Sequence, residues 1–287
     1  MAEDYFRNTL VSTTDLALHL CDPEWAILDC RYSLTDTEYG RRGYLEGHIP
    51  GAVYVHLSED LAGPKIPGIT GRHPLPGVKE TTDRFSNWGI APGVQVVAYD
   101  DAGGALAAAR AWWMLRWLGY QAVAVLDGGW QKWISEGRQI RNGVETRAWR
   151  RFIPQPQTGM LVRVDEIEIM RCDSTCRLFD ARAVERYFGQ NETVDPVAGH
   201  IPGAISAPYM ENLNPDMTFR TPESLRKRFQ ALLGDTPPDR IAFYCGSGVT
   251  SIHNILAMIY AGLGEARLYV GSWSEWITNP DRPVTSN

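Results

Sequence analysis

The sequence predicts an α/β protein of two tandem domains, each a mainly parallel sheet flanked by helices. Four sequence blocks occur twice along the chain in the same order. Within each half, short apolar segments alternate with segments of helical periodicity. The chain has 287 residues, of which 44% are hydrophobic, and this is enough for two separate cores. Apolar strands that alternate with helices favour a parallel sheet covered on both faces.

The repeat is clearest in the block Gly-His-Ile-Pro-Gly-Ala, which occupies residues 47–52 and recurs unchanged at 199–204. The other three pairs, in chain order, are residues 28–31 with 179–182, 97–100 with 242–245, and 126–130 with 269–273. Four blocks in one order at nearly one spacing indicate a duplicated domain. The predicted limits are 1–145 for the first domain and 161–287 for the second. Residues 146–160 contain two prolines among polar neighbours and are predicted to be a linker.

The predicted elements of the first domain are three short apolar strands and one long helix, at residues 26–29, 94–99, 122–126 and 104–118 respectively. The second domain has three predicted strands, at residues 178–180, 241–244 and 267–270. Thr221 followed by Pro222 predicts the N-cap and first turn of a helix that ends near Leu233. Apolar residues at helical spacing predict another helix at 252–261.

The most informative stretch is the loop that begins at Cys245, between the predicted strand 241–244 and the following helix. Gly246 and Gly248 allow the backbone to curl and to turn successive N–H groups inward. Such donors at a helix start stabilise a thiolate, and they can lower a cysteine pKa from ~8.5 to ~3.5–7.5. In parallel sheets, ligands bind at the carboxyl ends of the strands. We therefore expect Cys245 to be a nucleophile; the alternative is a buried, inert cysteine.

Composition excludes several classes of partner. The net charge of −6 and the lack of a long Lys/Arg run argue against nucleic-acid binding. No run of 18 apolar residues predicts a membrane span, and the first residues have neither the basic nor the apolar region of an export signal. Five cysteines, an odd number, do not suggest a disulfide framework. A cytoplasmic protein without nucleic-acid or membrane partners is the expectation.

The remaining cysteines are interpreted as packing residues, and they are Cys21, Cys30, Cys172 and Cys176. Cys172 and Cys176 have a C-x3-C spacing, but no second Cys or His pair lies near them in the sequence. Structural zinc sites have four Cys or His ligands, and catalytic ones have three protein ligands. No metal site is therefore predicted.

The chain resembles the tandem-domain rhodanese sulfurtransferases. The resemblance extends over about residues 13–280. It rests on the two Gly-His-Ile-Pro-Gly-Ala blocks, the Gly-Ser-Trp-Ser-Glu-Trp segment at 271–276 and the Cys-Gly-Ser-Gly-Val-Thr loop at 245–250. It implies two rhodanese-like domains, of which the second carries the cysteine and the first is catalytically silent. Asp100 matches Cys245 in the first domain, and its carboxylate cannot accept a sulfur atom.

The resemblance also implies a reaction and its participants. The Cys245 thiolate would take the outer sulfur of a small donor and hold it as a persulfide. A thiol, cyanide or thioredoxin-like acceptor would then remove it, which is ping-pong covalent catalysis. The loop residues expected to bind the thiolate and the persulfide through N–H groups are Gly246, Gly248, Val249 and Thr250. No metal or organic cofactor is implied.

The residues after Cys245 bear on the donor. Relatives that use thiosulfate have Arg and Lys there, whereas this chain has the neutral pair Gly246 and Ser247. Cys-Gly-Ser-Gly-Val-Thr is the pattern of the 3-mercaptopyruvate sulfurtransferases, and thiosulfate is the alternative donor. In that group the serine, here Ser247, helps to protonate the departing pyruvate enolate. His73 matches the histidine that partners this serine across the domain interface; its other interpretation is a loop residue that caps a turn.

Further expectations concern charged residues. Arg186 matches the family's arginine for the substrate carboxylate, for which a guanidinium is the best-matched cation. Arg182 is expected to hold a strand end through an ion pair with Asp180. Two positions depart from the family pattern. Thr193 stands where a second arginine is expected, and the acid behind the histidine would fall near Ser58, so that Glu59 or Asp60 takes its place or the acid is absent.

Two other functions compete with sulfur transfer. A cysteine phosphatase needs an arginine at position 251 to hold the phosphate dianion, and the chain has Ser251. The second rival is a module in which Cys245 only relays persulfide to a partner without turning over a small donor; the sequence leaves it open.

The tryptophans are interpreted as packing residues. Trp112, Trp113 and Trp117 have helical spacing and are assigned to the core or to a domain interface. Trp273 and Trp276 are assigned to packing as well, with a wall of the pocket as the alternative for one of them.

Overall fold

The computed structural model describes residues 6–20 and 22–286, so that Cys21 lies outside the described residues. The chain forms two compact units. The first comprises the described residues up to Ala62, together with Pro76–Gln157 and Pro215–Phe219. The second comprises Gly63–Leu75, Thr158–Asn214 and the described residues from Arg220 onwards. Each unit is therefore assembled from separate segments, and the contiguous limits expected from the repeat stay a prediction.

The first unit is built on a parallel sheet. Within the described part of the chain its strands are β1 (Leu10–Val11), β2 (Trp25–Asp29), β3 (Ala52–Tyr54), β4 (Gln95–Tyr99) and β5 (Val123–Leu126). Their order across the sheet is β1-β5-β4-β2-β3, and all pairs are parallel. The helices of this unit are α1 (Thr13–Ala17), α2 (Tyr39–Glu46), α3 (Leu57–Asp60), α4 (Val78–Asn87), α5 (Ala107–Trp117) and α6 (Gly129–Ser135).

The second unit repeats this arrangement. Its described strands are β6 (Leu161–Val162), β7 (Arg177–Asp180), β8 (Ile205–Ser206), β9 (Ile241–Tyr244) and β10 (Arg267–Tyr269). The order β6-β10-β9-β7-β8 corresponds strand by strand to that of the first sheet, again with parallel pairs. The helices are α7 (Val164–Met170), α8 (Val184–Tyr187), α9 (Pro222–Leu233), α10 (Ser251–Tyr260) and α11 (Ser272–Trp276). The α/β prediction of two parallel sheets flanked by helices is confirmed.

Three sequence expectations about single elements are also confirmed. Thr221 caps α9, because its hydroxyl accepts a hydrogen bond from the N–H of Ser224, and Pro222 occupies the first turn. Every residue of α5 is buried, in agreement with the packing role assigned to Trp112 and Trp113. Trp273 and Trp276 are fully buried in the core of the second unit.

The repeated sequence blocks meet at one buried ion pair in each unit. In the second unit Arg182 contacts the Asp180 carboxylate at 2.6 Å and donates to the carbonyl of Gly199 at 2.7 Å. Its guanidinium lies 4.7 Å from the ring centre of Trp273. The equivalent contacts in the first unit join Arg31 to Asp29 at 2.6 Å, to the carbonyl of Gly47 at 2.6 Å and to the ring of Trp130 at 4.3 Å. The blocks therefore recur because they build the same strand end, and the expected Asp180–Arg182 pair is confirmed.

The cysteines differ in exposure. Cys30, Cys176 and Cys245 are buried, whereas Cys172 is exposed, and all four are free thiols. The packing interpretation therefore holds for Cys30 and Cys176 and is wrong for Cys172. Across residues 6–20 and 22–286, no helix combines the length and the apolar character that a bilayer crossing demands.

Candidate active site

Cys245 lies where the central strand β9 ends, and the loop 245–250 joins it to α10. The residue is 2% exposed. The N–H of Val249 donates to Cys245 Sγ at 3.3 Å. Gly248 has φ +71°, and a Cβ there would lie 2.3 Å from the carbonyl oxygen of Val270. Only glycine fits this position, because both the backbone conformation and the available space exclude a side chain.

The segment that follows β10 fixes this loop from the other side. The Cys245 N–H donates to Ser272 Oγ at 3.1 Å, and the Cys245 carbonyl accepts from the N–H of Trp273 at 3.0 Å. The N–H of Ser274 donates to the Gly246 carbonyl at 2.9 Å. With its outward-facing groups engaged in this way, the loop can hold its remaining N–H groups towards the sulfur.

The pKa of the Cys245 thiol is lowered although the residue is buried. Burial alone would raise the Cys245 pKa, but hydrogen bonds from the side chains of Thr250 and Ser251 and from the backbone of Ser247 and Ser251 outweigh it and leave the pKa below its ordinary value. Among the described residues the Ser251 hydroxyl has no other hydrogen-bond partner, which leaves it available to the sulfur. Donors directed at a sulfur favour its anionic form.

His73 reaches the loop from the segment Gly63–Leu75, which belongs to the second unit. This segment packs closely against the residues after β10, since a Cβ on Gly71 would lie only 2.4 Å from the Gly271 carbonyl oxygen. The N–H of Arg72 donates to Ser274 Oγ at 2.9 Å. His73 is buried, and its Nδ1 lies 2.8 Å from Ser247 Oγ. Of the two interpretations of this histidine, the geometry favours the partner of Ser247.

Arg186 lies in α8 and is held by two carboxylates. Its Nε lies 3.0 Å from Glu192 Oε2, and its Nη2 lies 2.9 Å from Asp195 Oδ2. The same Asp195 carboxylate accepts from Nη1 of Arg72 at 2.7 Å through its other oxygen. Sequence reasoning missed Arg72, Glu192 and Asp195. The only available signal was that Arg72 precedes His73 in the chain.

Both guanidinium groups lie over the beginning of the cysteine loop. A Cβ added to Gly246 would lie 3.0 Å from Arg72 Nη2 and 3.6 Å from Arg186 Nη1. Residue 246 directly follows the cysteine. The site therefore brings together a thiol of lowered pKa, a Ser–His pair and two arginines.

Comparison with known proteins identifies the family. The model of the rhodanese-like domain matches residues 12–136 and again residues 164–279. The chain belongs to the rhodanese family. A probable 3-mercaptopyruvate sulfurtransferase of Pseudomonas aeruginosa is 46% identical over 278 residues, which cover 96% of this chain and 98% of that protein. A putative thiosulfate sulfurtransferase of Mycobacterium tuberculosis is 39% identical over 288 residues, which cover 96% of each.

A solved structure supports the same assignment. The 3-mercaptopyruvate sulfurtransferase from Leishmania major superposes with a TM-score of 0.85 at 31% sequence identity, over 96% of this chain and 75% of that one. The two matched segments of the family model correspond to the two sheets, so that this rhodanese has two rhodanese-like domains.

In the first rhodanese-like domain, a carboxylate occupies the place of the sulfur. Asp100 Oδ1 accepts from the N–H groups of Ala102 and Gly104 at 2.9 and 2.8 Å. Asp100 Oδ2 accepts from those of Leu106 and Ala108 at 3.0 and 3.2 Å. Burial raises the pKa of Asp100 to about 6, although these N–H groups oppose the shift. This loop thus retains the N–H groups of an anion-binding loop and fills it with its own side chain.

The acid expected to support the histidine of this rhodanese has its candidates in and beside α3. Ser58 Oγ lies 3.0 Å from the hydroxyl of Tyr32, Glu59 Oε2 lies 2.6 Å from Arg41 Nη2, and Asp60 Oδ2 accepts from the His56 N–H at 2.7 Å. These partners belong to the first unit. The assignment of Glu59 or Asp60 to His73 stays a prediction.

Among residues 6–20 and 22–286, one group of side chains approaches the spacing of a metal site, namely Glu38, His56 and Glu59. Both ring nitrogens of His56 are already engaged, since Nδ1 accepts from the Glu59 N–H at 3.1 Å and Nε2 lies 3.1 Å from the Thr37 carbonyl. A metal would have to displace one of these hydrogen bonds. The group therefore does not fit a bound ion.

Proposed function

We propose that this rhodanese is a sulfurtransferase that moves sulfane sulfur from 3-mercaptopyruvate to a thiol, cyanide or thioredoxin-like acceptor through a persulfide on Cys245. The observation that carries the proposal is the buried thiol whose pKa is lowered by donors from its own loop. A thiolate is the nucleophile that sulfur transfer requires. The first rhodanese-like domain, with Asp100 in the corresponding loop, is proposed to be catalytically silent.

In the first half-reaction the Cys245 thiolate attacks the sulfur of the donor. An S–S bond forms, and the C–S bond of 3-mercaptopyruvate breaks with its electron pair moving to carbon, which gives the enolate of pyruvate. The thiol proton of the donor is transferred to that carbon, so that pyruvate leaves and the persulfide stays as an anion. The Ser247 hydroxyl, 2.8 Å from His73 Nδ1, is proposed to relay this proton.

In the second half-reaction an acceptor thiol attacks the outer sulfur of the persulfide. The S–S bond to Cys245 breaks, its electron pair returns to Cys245 as thiolate, and the acceptor leaves as a persulfide. The N–H groups of the loop would stabilise both anions of the enzyme, the thiolate on Sγ and the terminal sulfur of the persulfide, which lies about 2 Å further out along the S–S bond. The loop residues proposed for this are Gly246, Gly248, Val249 and Thr250.

Thiosulfate is the second candidate donor. The two guanidinium groups over Gly246 would also bind the sulfonate of this dianion. The structure therefore favours thiosulfate more than the sequence of the loop does by itself. Its sulfur transfer would use the same Cys245 persulfide and release sulfite. The neutral residues Gly246 and Ser247 favour 3-mercaptopyruvate as the better donor.

The test is incubation with each donor followed by mass analysis of the Cys245 peptide, together with kcat/KM for both donors. One added sulfur on Cys245 and a higher kcat/KM with 3-mercaptopyruvate are expected. Cys245→Ser should lose turnover by about 10³-fold or more, whereas Cys172→Ser, the same change at an exposed cysteine, should not. Persulfide formation without turnover of either donor would identify the rival relay module. Near-normal turnover by Cys245→Ser would refute the nucleophile.

A further inference from the structure

We infer that Arg72 supplies the second guanidinium of a two-arginine site for the carboxylate of the sulfur donor, in place of the arginine that the family pattern expects at Thr193. The inference deepens the proposed function and rests on it for the identity of the donor. Arg186 would be the first member of the pair.

A single carboxylate orients both arginines. Asp195 Oδ1 lies 2.7 Å from Arg72 Nη1, and Asp195 Oδ2 lies 2.9 Å from Arg186 Nη2. The Asp195 side chain is only 2% exposed. A buried carboxylate that binds two guanidinium groups through separate oxygens fixes their relative position, because neither arginine can rotate without losing a charged hydrogen bond. Asp195 is thus a positioning residue for the pair.

One further nitrogen of each arginine lies over the reactive loop. Arg186 contacts Glu192 and Asp195 through Nε and Nη2, and Arg72 contacts Asp195 through Nη1, so that Arg72 Nη2 and Arg186 Nη1 take no part in these contacts. They lie 3.0 and 3.6 Å from the place that a Cβ of Gly246 would occupy. A carboxylate has two oxygens and accepts hydrogen bonds through both. When the sulfur of a mercapto-α-keto acid reaches Cys245, its carboxylate would therefore find two charged donors beside Gly246, the next residue.

Thr193 cannot supply this contact, since its side chain has one hydroxyl and no charge. It is exposed and lies between the two acids that hold Arg186, Glu192 and Asp195. Arg72 reaches Asp195 from the segment that also carries His73, although 123 residues separate Arg72 from Asp195 in the chain. The second guanidinium thus comes from a different segment, which explains how a donor carboxylate can be bound without an arginine at position 193.

The test compares alkylation of Cys245 by iodoacetate, which carries a carboxylate, and by iodoacetamide, which is neutral and of similar size. Rate constants are taken from mass analysis of the Cys245 peptide, because Cys172 is exposed and also reacts. Arg72→Met should lower the ratio of the iodoacetate to the iodoacetamide rate constant about tenfold, since it removes a charged hydrogen bond. A change in thiolate fraction affects both reagents equally and cancels in the ratio.

Arg267→Met is the matched control. The Arg267 side chain is 22% exposed against 21% for Arg72, and it lies at the first residue of β10, where the strand begins. It should leave the ratio unchanged. An unchanged ratio in Arg72→Met, or an equal fall in Arg267→Met, overturns the inference. Circular dichroism verifies the fold, and Arg72→Gln provides the same measurement if Arg72→Met does not fold.

Turnover of 3-mercaptopyruvate by the wild type distinguishes a failure of this inference from a failure of the proposed function. If the wild type does not use 3-mercaptopyruvate, the proposed function fails, while the alkylation ratio still decides whether Arg72 binds a carboxylate beside Cys245. If the wild type is active, Arg72→Met should raise KM for 3-mercaptopyruvate about tenfold with a smaller change in kcat. An unchanged KM overturns the role of Arg72 and leaves the sulfurtransferase intact.

Discussion

His73 Nδ1 lies 2.8 Å from Ser247 Oγ, although 174 residues separate the two in the chain. Both side chains are buried and belong to the second compact unit, since Gly63–Leu75 packs with that unit. A hydroxyl that is held by an imidazole and lies two residues after Cys245 in the chain is well placed to move a proton during release of the pyruvate enolate. The two donors differ in their need for this proton, and that difference can be measured.

Ser247→Ala should lower the rate constant of persulfide formation from 3-mercaptopyruvate by about 10²-fold, the usual size of a lost proton-transfer contribution. With thiosulfate the change should be small, because sulfite leaves as a stable anion and needs no proton at carbon. The measurement is single-turnover persulfide formation with each donor. An equal loss with both donors would show that Ser247 supports the loop and does not relay a proton.

Thr250→Val should raise the Cys245 pKa, because the Thr250 side chain is one of the hydrogen-bond donors that lower it against the effect of burial. Loss of a hydrogen bond to a charged group corresponds to about one pH unit. The thiolate fraction falls as pH drops below the pKa, so the midpoint of the pH–rate profile for iodoacetamide should move to higher pH. Thr175→Val, in an exposed turn, is the control and should keep the wild-type midpoint. A midpoint that does not move would remove Thr250 from the set of thiolate donors.

The sequence was sufficient for the central strands and for the reactive loop. β2, β4, β7 and β9 have four or five residues with apolar ones at their centre, and their positions agree with the predicted ones to within one residue at each end. The edge strands β1, β3, β6 and β8 have two or three residues, too few to show any periodicity, and were not predicted. The helix expected at 104–118 begins only at Ala107, since Gly104 has φ +85° and the preceding N–H groups bind Asp100.

The candidate site was only partly accessible to sequence reasoning. Cys245, Ser247 and Gly248 share one loop, and their spacing carries the signal directly. Arg72 and Asp195 lie in loops without periodicity, and their relationship exists only after the chain has folded. The departure at Thr193 therefore indicated a missing cation, but no pattern in the chain could indicate which segment provides it.

Gly246→Ala should raise KM for 3-mercaptopyruvate several-fold while leaving alkylation by iodoacetamide close to wild type. The new Cβ would lie 3.0 Å from Arg72 Nη2, which must shift, whereas Cys245 keeps its own loop contacts. Because the effect acts through Arg72, Gly246→Ala should add little to Arg72→Met. The measurement is a double-mutant cycle on kcat/KM. Additive effects of the two changes would contradict this explanation.

Asp100→Asn should destabilise the protein by about 1–3 kcal/mol without changing kcat. Both carboxylate oxygens accept two N–H groups each, so an amide nitrogen on either side would face two donors and leave them unpaired. Asp101→Asn, at the neighbouring position, removes the same charge, but its amide oxygen can still accept from the Tyr39 hydroxyl, so it should destabilise the protein much less. Urea unfolding of the three proteins at pH 7 compares the free energies of unfolding. A large fall in kcat in Asp100→Asn with unchanged stability would mean that the first domain takes part in catalysis and is not silent.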